Sequence, residues 1–154
     1  MDIQDILDSD AVEPRLVATS KKHAIEQIAR LAAKASGLDA RLVFEVLLER
    51  ERLGSTGVGH GIAIPHGKFA GLARIHGAFA RLETPVEFDA ADGAPVDLLF
   101  VLMAPETAGA DHLKALGRVS RMLRDAAFCD KLRAATTRKA LYDLLIRDGA
   151  SKAA

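Results

Sequence analysis

Cysteine and long apolar runs are scarce in this sequence, and tryptophan is absent. The one cysteine, Cys129, excludes a disulfide within the chain and fits a reducing compartment. No apolar run approaches the roughly 20 residues that a membrane-spanning helix needs. The acidic start, residues 1–5, has neither the basic end nor the apolar core of a secretory signal. We therefore expect a cytoplasmic protein with no membrane insertion.

An excess of charge of either sign is also missing. Lysine and arginine together number 21, as do aspartate and glutamate, so the formal net charge is zero. Nucleic acids and anionic membranes attract proteins with a basic excess, so we expect neither as the main partner. The length of 154 residues and the hydrophobic share of 49% suit one globular domain, which we predict to span residues 1–154.

The first third of the chain has the spacing of helices. We predict a short helix within residues 1–13 and a brief strand over residues 15–19. Ser20 is a typical helix N-cap, and the apolar residues behind it recur at helical spacing until Gly37 ends the helix. Asp39 marks the start of a second helix, whose charged residues form its polar side.

Strand patterns follow in the middle of the chain. Residues 74–83 predict a strand that Thr84 and Pro85 end, and residues 86–88 predict a short edge strand. Residues 96–104 are apolar almost throughout, which is typical of a central strand buried on both faces.

Helices return in the last third. We predict a helix over residues 111–123 that its first residue caps and that packs through Leu113 and later apolar positions. Thr136 or Thr137 caps a final helix, and residues 149–154 form a frayed tail. The order of helices, strands and helices predicts an α/β fold in three layers, α/β/α, with a mixed central sheet and helices on both faces.

Residues 54–68 stand out because four glycines fall within eight positions and a proline–histidine–glycine sequence follows. Glycine permits positive φ and close backbone approach, so this backbone can hold amide groups open toward an anion. Pro65 fixes its own φ and keeps Ile64 extended. We predict that His66, held between that rigid residue and Gly67, is presented rather than buried and is the functional residue.

His112 lies at the start of a predicted helix, after the loop at the carboxyl end of the buried strand. By itself this position predicts an exposed first-turn residue. Open α/β sheets, however, bind their ligands at the carboxyl ends of strands. A second imidazole there can orient His66 or hydrogen-bond a group attached to it, so we include His112 in the candidate site.

Three polar residues near the glycines each have two interpretations. Arg52 is either a solvated cation near a helix C-terminus or a partner for a phosphoryl group. The hydroxyls of Ser55 and Thr56 either form hydrogen bonds within a turn or donate to phosphate oxygens.

Competing motifs have little support. The glycine spacing is not that of a dinucleotide site, and no P-loop is present. A zinc site formed by His60, His66 and His112 would lack the close pair of ligands that is usual on a helix. We expect no metal and no cofactor.

Residues 54–68 resemble the active-site segment of the fructose/mannitol-type IIA proteins of the bacterial phosphotransferase system. The resemblance covers most of the chain: residues 82–90 and 95–100 are similar to the nitrogen-related branch in particular, and residues 111–116 resemble the family's second histidine segment. The chain departs from the pattern at His60, where that branch is expected to have asparagine. The family's fold, a mixed sheet between helices, agrees with the order of elements.

The resemblance implies that His66 accepts a phosphoryl group from a histidine phosphocarrier protein of the HPr type. It implies that His112 lies beside His66 and helps to hold that group. Arg52, Ser55 and Thr56 match the family's arginine and polar pair, which implies phosphoryl binding. The implied regulatory targets are potassium-transport or sensor-kinase components in nitrogen or carbon regulation.

Three hypotheses remain. The first is a phosphoryl-carrying regulator, a phosphotransferase component with a transient phosphohistidine rather than an independent turnover enzyme. The second is a protein-binding module of the same fold that accepts no phosphate, and the third is a metal-dependent hydrolase that uses the histidines. We adopt the first because a neutral imidazole can attack phosphorus while amides, hydroxyls and a cation stabilise the charge.

Overall fold

The computed structural model describes residues 1–151, which form a central sheet and six α-helices. The helices are α1 (Ile3–Ile6), α2 (Lys21–Ser36), α3 (Ala40–Arg52), α4 (Ala110–Leu123), α5 (Ala126–Ala134) and α6 (Arg138–Ser151), with a 3-10 turn at Ser9–Ala11. The strands are β1 (Val12–Leu16), β2 (Gly57–Gly59), β3 (Ile62–Ala63), β4 (His66–Phe69), β5 (His76–Val86) and β6 (Val96–Pro105). No helix within residues 1–151 is both long enough and apolar enough to cross a membrane.

Strand β6 is the centre of the sheet because three other strands pair with it. On one side β5 runs antiparallel to it, and on the other side β3 and β4 follow one another in parallel. Strand β1 adds to β5 in parallel, and β2 adds to β3 as an antiparallel hairpin. The predicted mixed sheet and the predicted buried strand at residues 96–104 are both confirmed.

Helices cover both faces of this sheet. His66 and Gly77 lie opposite the same residue of β6, so the side chain of His66 and a Cβ added to Gly77 point to the same face of the sheet. On that face a Cβ added to Gly77 would meet the carbonyl of Ile6, which belongs to α1, at 3.5 Å. On the other face a Cβ added to Gly67 would meet Val46 of α3 at 2.6 Å. The three-layer architecture predicted from the order of elements is therefore confirmed.

The caps predicted for α2, α3 and α6 are present. The hydroxyl of Ser20 accepts a hydrogen bond from the amide of His23 at 3.1 Å, and Asp39 caps α3 in the same way. Gly37 ends α2 in the left-handed region at φ 80°. Of the two threonines considered for the last helix, Thr137 is the one whose hydroxyl accepts an amide of its first turn.

The ends of three elements differ from the predictions. Strand β5 continues through Thr84 and Pro85 instead of ending there. Its register with β6 shifts between Arg81 and Val86, because proline has no amide to donate to the ladder. Strand β1 lies over residues 12–16 rather than 15–19. Helix α6 runs to Ser151, so a frayed tail does not begin at residue 149, and residues 152–154 lie outside the described part.

Helix α4 begins earlier and faces differently than predicted. Gly109, at φ 54°, occupies the cap position, and Asp111 lies inside the first turn. The side of the helix that packs on the sheet begins with His112, which is only 7% exposed, whereas Leu113 is 70% exposed. The predicted apolar stripe was therefore wrong at its start, because a buried histidine takes the place that Leu113 was expected to fill.

We expect Gly67→Ala to lower the free energy of unfolding by about 1–3 kcal/mol, the usual cost of overpacking. The new methyl would stand 2.6 Å from Cγ1 of Val46, a stiff β-branched side chain. Urea unfolding of both single variants and of Gly67→Ala/Val46→Ala measures the coupling, and we expect the double variant to lose less than the sum.

Gly117→Ala is the matched control, because its new methyl meets only the flexible end of Arg121, at 3.3 Å. Alanine inside a helix is favoured over glycine by about 1 kcal/mol, so this variant should be neutral or stabilised. Strictly additive losses at positions 67 and 46 would contradict the packing described for α3 on β4.

Candidate functional site

His66 is the first residue of β4 and lies at the side of the central strand. The carbonyl of Pro65, just before it, accepts a hydrogen bond from the amide of Leu102 at 3.0 Å. This bond ties the chain to β6 directly before the histidine. The imidazole is half-buried and faces α4. The prediction that His66 is presented rather than buried in the core agrees with this position.

One nitrogen of the His66 ring is assigned by its surroundings. Nδ1 lies 2.8 Å from the carbonyl oxygen of Ile64. A carbonyl oxygen can only accept, so the proton of the neutral ring lies on Nδ1 and the electron pair lies on Nε2. The local backbone thus turns Nε2 into the group that can bind a proton or attack an electrophile.

His112, in the first turn of α4, faces this ring. The two ring centroids are 5.6 Å apart and the ring planes are inclined by 51°. His112 is buried, and its Nδ1 has no hydrogen-bond partner among the residues the structure describes. A buried polar atom without a partner costs free energy, and such atoms are typical of places where a ligand or group is bound. The structure therefore brings together the two histidines that the sequence singled out.

Burial lowers the pKa of both imidazoles below the ordinary value of 6.5. For His66 the hydrogen bond to Ile64 and the charge of Glu51 oppose this shift, and the charge of Arg50 adds to it. For His112 the charge of a protonated His66 and the charge of Lys68 lower the pKa further. Both rings are therefore neutral near pH 7, the state in which an imidazole nitrogen keeps its electron pair.

The arginine that acts on this site is Arg50. Its positive charge contributes to the lowered pKa of His66, and its Nη1 donates to the carbonyl of Gly54 at 2.9 Å. Arg52, which we had assigned to phosphoryl binding, is an exposed residue at the end of α3. The two arginines lie two positions apart, about 200° around a helix, so they cannot face the same side.

Ser55 and Thr56 use their hydroxyl protons within the protein. Ser55 Oγ donates to the carbonyl of Phe88 at 2.7 Å, and Thr56 Oγ1 donates to Glu51 at 2.5 Å. Thr56 is also buried, at 5% exposed. Donation from these hydroxyls to a phosphoryl group stays a prediction, and it would require them to change partners.

His60 lies at the other end of this segment. It occupies, with Gly61, the two-residue turn between β2 and β3, where both residues have positive φ, 57° and 81°. Its amide donates to Asp92 at 2.9 Å and its carbonyl accepts from Arg133 at 2.8 Å. The turn precedes β3, which pairs with β6 at Leu98 and Leu99, whereas His66 pairs with Leu102 further along the same strand. In the described part of the chain, no group of three histidine, cysteine or acidic side chains could hold a metal ion.

Sequence reasoning missed Glu51, which we had counted among the polar side of α3. It is only 5% exposed and accepts hydrogen bonds from both the amide and the hydroxyl of Thr56. A signal was present: Val43, Leu47 and position 51 are spaced by four residues and form the buried stripe of α3. A charged residue on an apolar stripe indicates a buried polar role.

The fold and the site together define an α/β protein whose candidate reactive group is a neutral, half-buried histidine beside the central strand. Residues 5–148 match the family described as "Phosphoenolpyruvate-dependent sugar phosphotransferase system, EIIA 2". The chain therefore belongs to this family of phosphotransferase IIA proteins.

Curated relatives carry a regulatory name. The chain is 52% identical to the nitrogen regulatory protein of Bradyrhizobium diazoefficiens, over 94% of this chain and 95% of that protein. It is 44% identical to the nitrogen regulatory protein of Escherichia coli K12, over 94% of this chain and 90% of that protein. These similarities place the chain near the nitrogen-related members of the family, as the sequence resemblance implied.

Solved structures agree on the fold. The nitrogen regulatory protein IIA-Ntr of Neisseria meningitidis superposes with a TM-score of 0.87 at 38% identity, covering 93% of this chain and 98% of that one. The mannitol IIA protein of Escherichia coli shares the fold at a TM-score of 0.75 and 20% identity, covering 90% of this chain and 97% of that one.

We expect Arg50→Gln to raise the pKa of His66, because a nearby positive charge disfavours the protonated ring. Titration of the ring protons by NMR measures this pKa, which should lie below 6.5 in the parent protein. Arg52→Gln is the comparison, and its effect should be smaller because that side chain is exposed and points elsewhere. An equal or larger rise for Arg52→Gln would contradict the assignment of Arg50 to the site.

Proposed function

We propose that this chain is a phosphoryl-accepting regulatory protein of a bacterial phosphotransferase system, with His66 as the acceptor. The observation that supports this most directly is the contact between Nδ1 of His66 and the Ile64 carbonyl, because it leaves Nε2 as a nucleophile. Membership of the IIA family supplies the context in which such a nucleophile has a phosphoryl donor.

The proposed step is an in-line transfer between two imidazoles. The electron pair of His66 Nε2 forms a bond to phosphorus, and the bond from phosphorus to the donor histidine breaks with its electrons returning to the donor nitrogen. A donor ring that carries a proton on its other nitrogen leaves as a neutral imidazole. His66 keeps its Nδ1 proton and becomes a positively charged phosphoimidazole, and the Ile64 carbonyl stabilises that charge.

The groups around His66 suit the charge that would arrive. A phosphoryl group carries close to two negative charges at neutral pH, by analogy with phosphoserine. We assign the holding of that group to His112, which contacts the His66 ring, and to Arg50, whose charge already acts on it. The exposed Arg52 and the hydroxyls of Ser55 and Thr56 remain predicted contributors that need a rearrangement or a docked partner.

The regulatory part of the proposal concerns partners. We propose a histidine phosphocarrier of the HPr type as donor, and target proteins such as potassium-transport or sensor-kinase components as readers of the phosphorylation state. Two added charges at a half-buried site can switch a binding surface on or off. The nitrogen regulatory name of the relatives supports a regulatory role, and the mannitol IIA protein of Escherichia coli was solved in a complex with phosphorylated enzyme IIB. A cytoplasmic location goes with these partners.

We expect the parent protein to gain one acid-labile phosphoryl group when it is incubated with a phosphorylated histidine phosphocarrier. Intact-mass measurement should show no gain for His66→Gln, because the nucleophile is missing. His112→Gln should accept the group more slowly, by about a hundredfold or more, the usual scale for one lost charge-stabilising donor.

His60→Gln is the matched control, since His60 is exposed and lies in the distant β2–β3 turn. It should be phosphorylated like the parent protein. Uptake of the phosphoryl group by His66→Gln would refute the acceptor assignment. If the parent protein takes up no phosphate, and if the parent and His66→Gln bind the same partners, the result would support the non-phosphorylated binding module instead.

A further inference from the structure

A continuous line of polar contacts runs from the first residue of α2 to the ring of His66. The ammonium of Lys21 lies 2.9 Å from the carboxylate of Glu51. That carboxylate accepts from the amide of Thr56 at 2.9 and 3.1 Å and from its hydroxyl at 2.5 Å. The carbonyl of Thr56 accepts from the amide of Ile64 at 3.0 Å, and the carbonyl of Ile64 accepts from His66 Nδ1 at 2.8 Å.

Burying the charged carboxylate of Glu51 costs folding free energy. Its side chain is 3% exposed and that of Lys21 is 22% exposed, so the ion pair is largely out of water. Replacing buried ion pairs by apolar residues of similar volume is often neutral or stabilising. Positions 43 and 47 of the same stripe are apolar, so packing alone does not call for a carboxylate at 51. Its contacts point to a positioning role.

We propose that Glu51, supported by Lys21, is a positioning residue for phosphoryl transfer that acts through Thr56 and Ile64. It holds the Ile64 carbonyl where that oxygen accepts the hydrogen bond from Nδ1–H of His66. This inference rests on the proposed function of His66 as acceptor. It adds a residue on α3 that touches neither the ring of His66 nor the incoming group.

The geometry explains why two contacts to one residue matter. Glu51 binds both the amide and the hydroxyl of Thr56, so it fixes the rotation of that residue as well as its place. Thr56 and Ile64 then pair through one backbone hydrogen bond beside the β2–β3 hairpin. If Thr56 could rotate, the carbonyl of Ile64 would no longer be held within hydrogen-bond distance of the imidazole.

A drifting carbonyl would change the chemistry of the ring. A neutral imidazole carries its single proton on either nitrogen, and the acceptor beside it decides which. If the proton moves to Nε2, that nitrogen loses its electron pair and cannot attack phosphorus. The role of Glu51 is therefore visible in the tautomer of His66 as well as in the rate of transfer.

The test compares Glu51→Gln and Thr56→Val with Glu49→Gln and Thr56→Ser. Glu49 is an exposed acid on the same helix, and serine retains the hydroxyl at position 56. Nitrogen-15 NMR of the unphosphorylated proteins reports the His66 tautomer, and quench-flow with a phosphorylated phosphocarrier reports the rate. We expect Glu51→Gln to raise the share of the Nε2–H tautomer and to slow transfer by about tenfold, the scale of a small misplacement of a reacting group. Thr56→Val should change both readouts in the same direction by less, and Thr56→Ser, which keeps the hydroxyl, should lie closer to the parent than Thr56→Val does. Glu49→Gln is the control that should match the parent protein.

The two readouts separate the inference from the function it rests on. If the parent protein takes up no phosphate, the proposed function fails, and the tautomer alone decides whether Glu51 positions the ring. If the parent is phosphorylated but folded Glu51→Gln and Thr56→Val keep both tautomer and rate, the inference is overturned. Should Glu51→Gln fail to fold, Thr56→Val against Thr56→Ser decides the question, because these variants retain the buried ion pair.

Discussion

The hydrogen bond between Nδ1 of His66 and the carbonyl of Ile64 is the interaction on which the site depends. It chooses one of the two tautomers of a neutral ring and so decides which nitrogen is reactive. Burial supports the choice, because it lowers the pKa of His66 and keeps the ring neutral near pH 7. A histidine that was merely exposed would have neither property.

The sheet makes this contact possible by pairing one strand with two short segments. Strands β3 and β4 lie one after the other along β6, with Ile64 and Pro65 between them. Within this connection the carbonyl of Pro65 accepts from Leu102 of β6, whereas the carbonyl of Ile64 accepts from the ring of His66, two residues later. Gly67 then lets α3 approach the opposite face closely, since a Cβ there would stand 2.6 Å from Val46. The glycine-rich segment thus serves the placement of one ring as well as the turn at its start.

Much of the fold was predictable because it follows local rules. Caps, apolar periodicity and one long apolar run were sufficient for the helices and for the central strand. The histidine at position 66 could be found because a proline and a glycine flank it. What was missed depended on the three-dimensional partner: that the charge of Arg50 acts on His66, that Glu51 is buried, and that His112 rather than Leu113 packs inward. Helical phase decides each of these, and a residue's charge or polarity alone does not reveal it. The role of Arg52 in phosphoryl binding stays a prediction.

The most direct measurement is the identity of the phosphorylated nitrogen. Phosphorus-31 and nitrogen-15 NMR of the phosphorylated protein distinguishes a phosphate on Nε2 of His66 from one on Nδ1. The account predicts an Nε2 phosphate, with the Nδ1 proton retained and still bonded to the Ile64 carbonyl. A phosphate on Nδ1, or on a histidine other than His66, would contradict it.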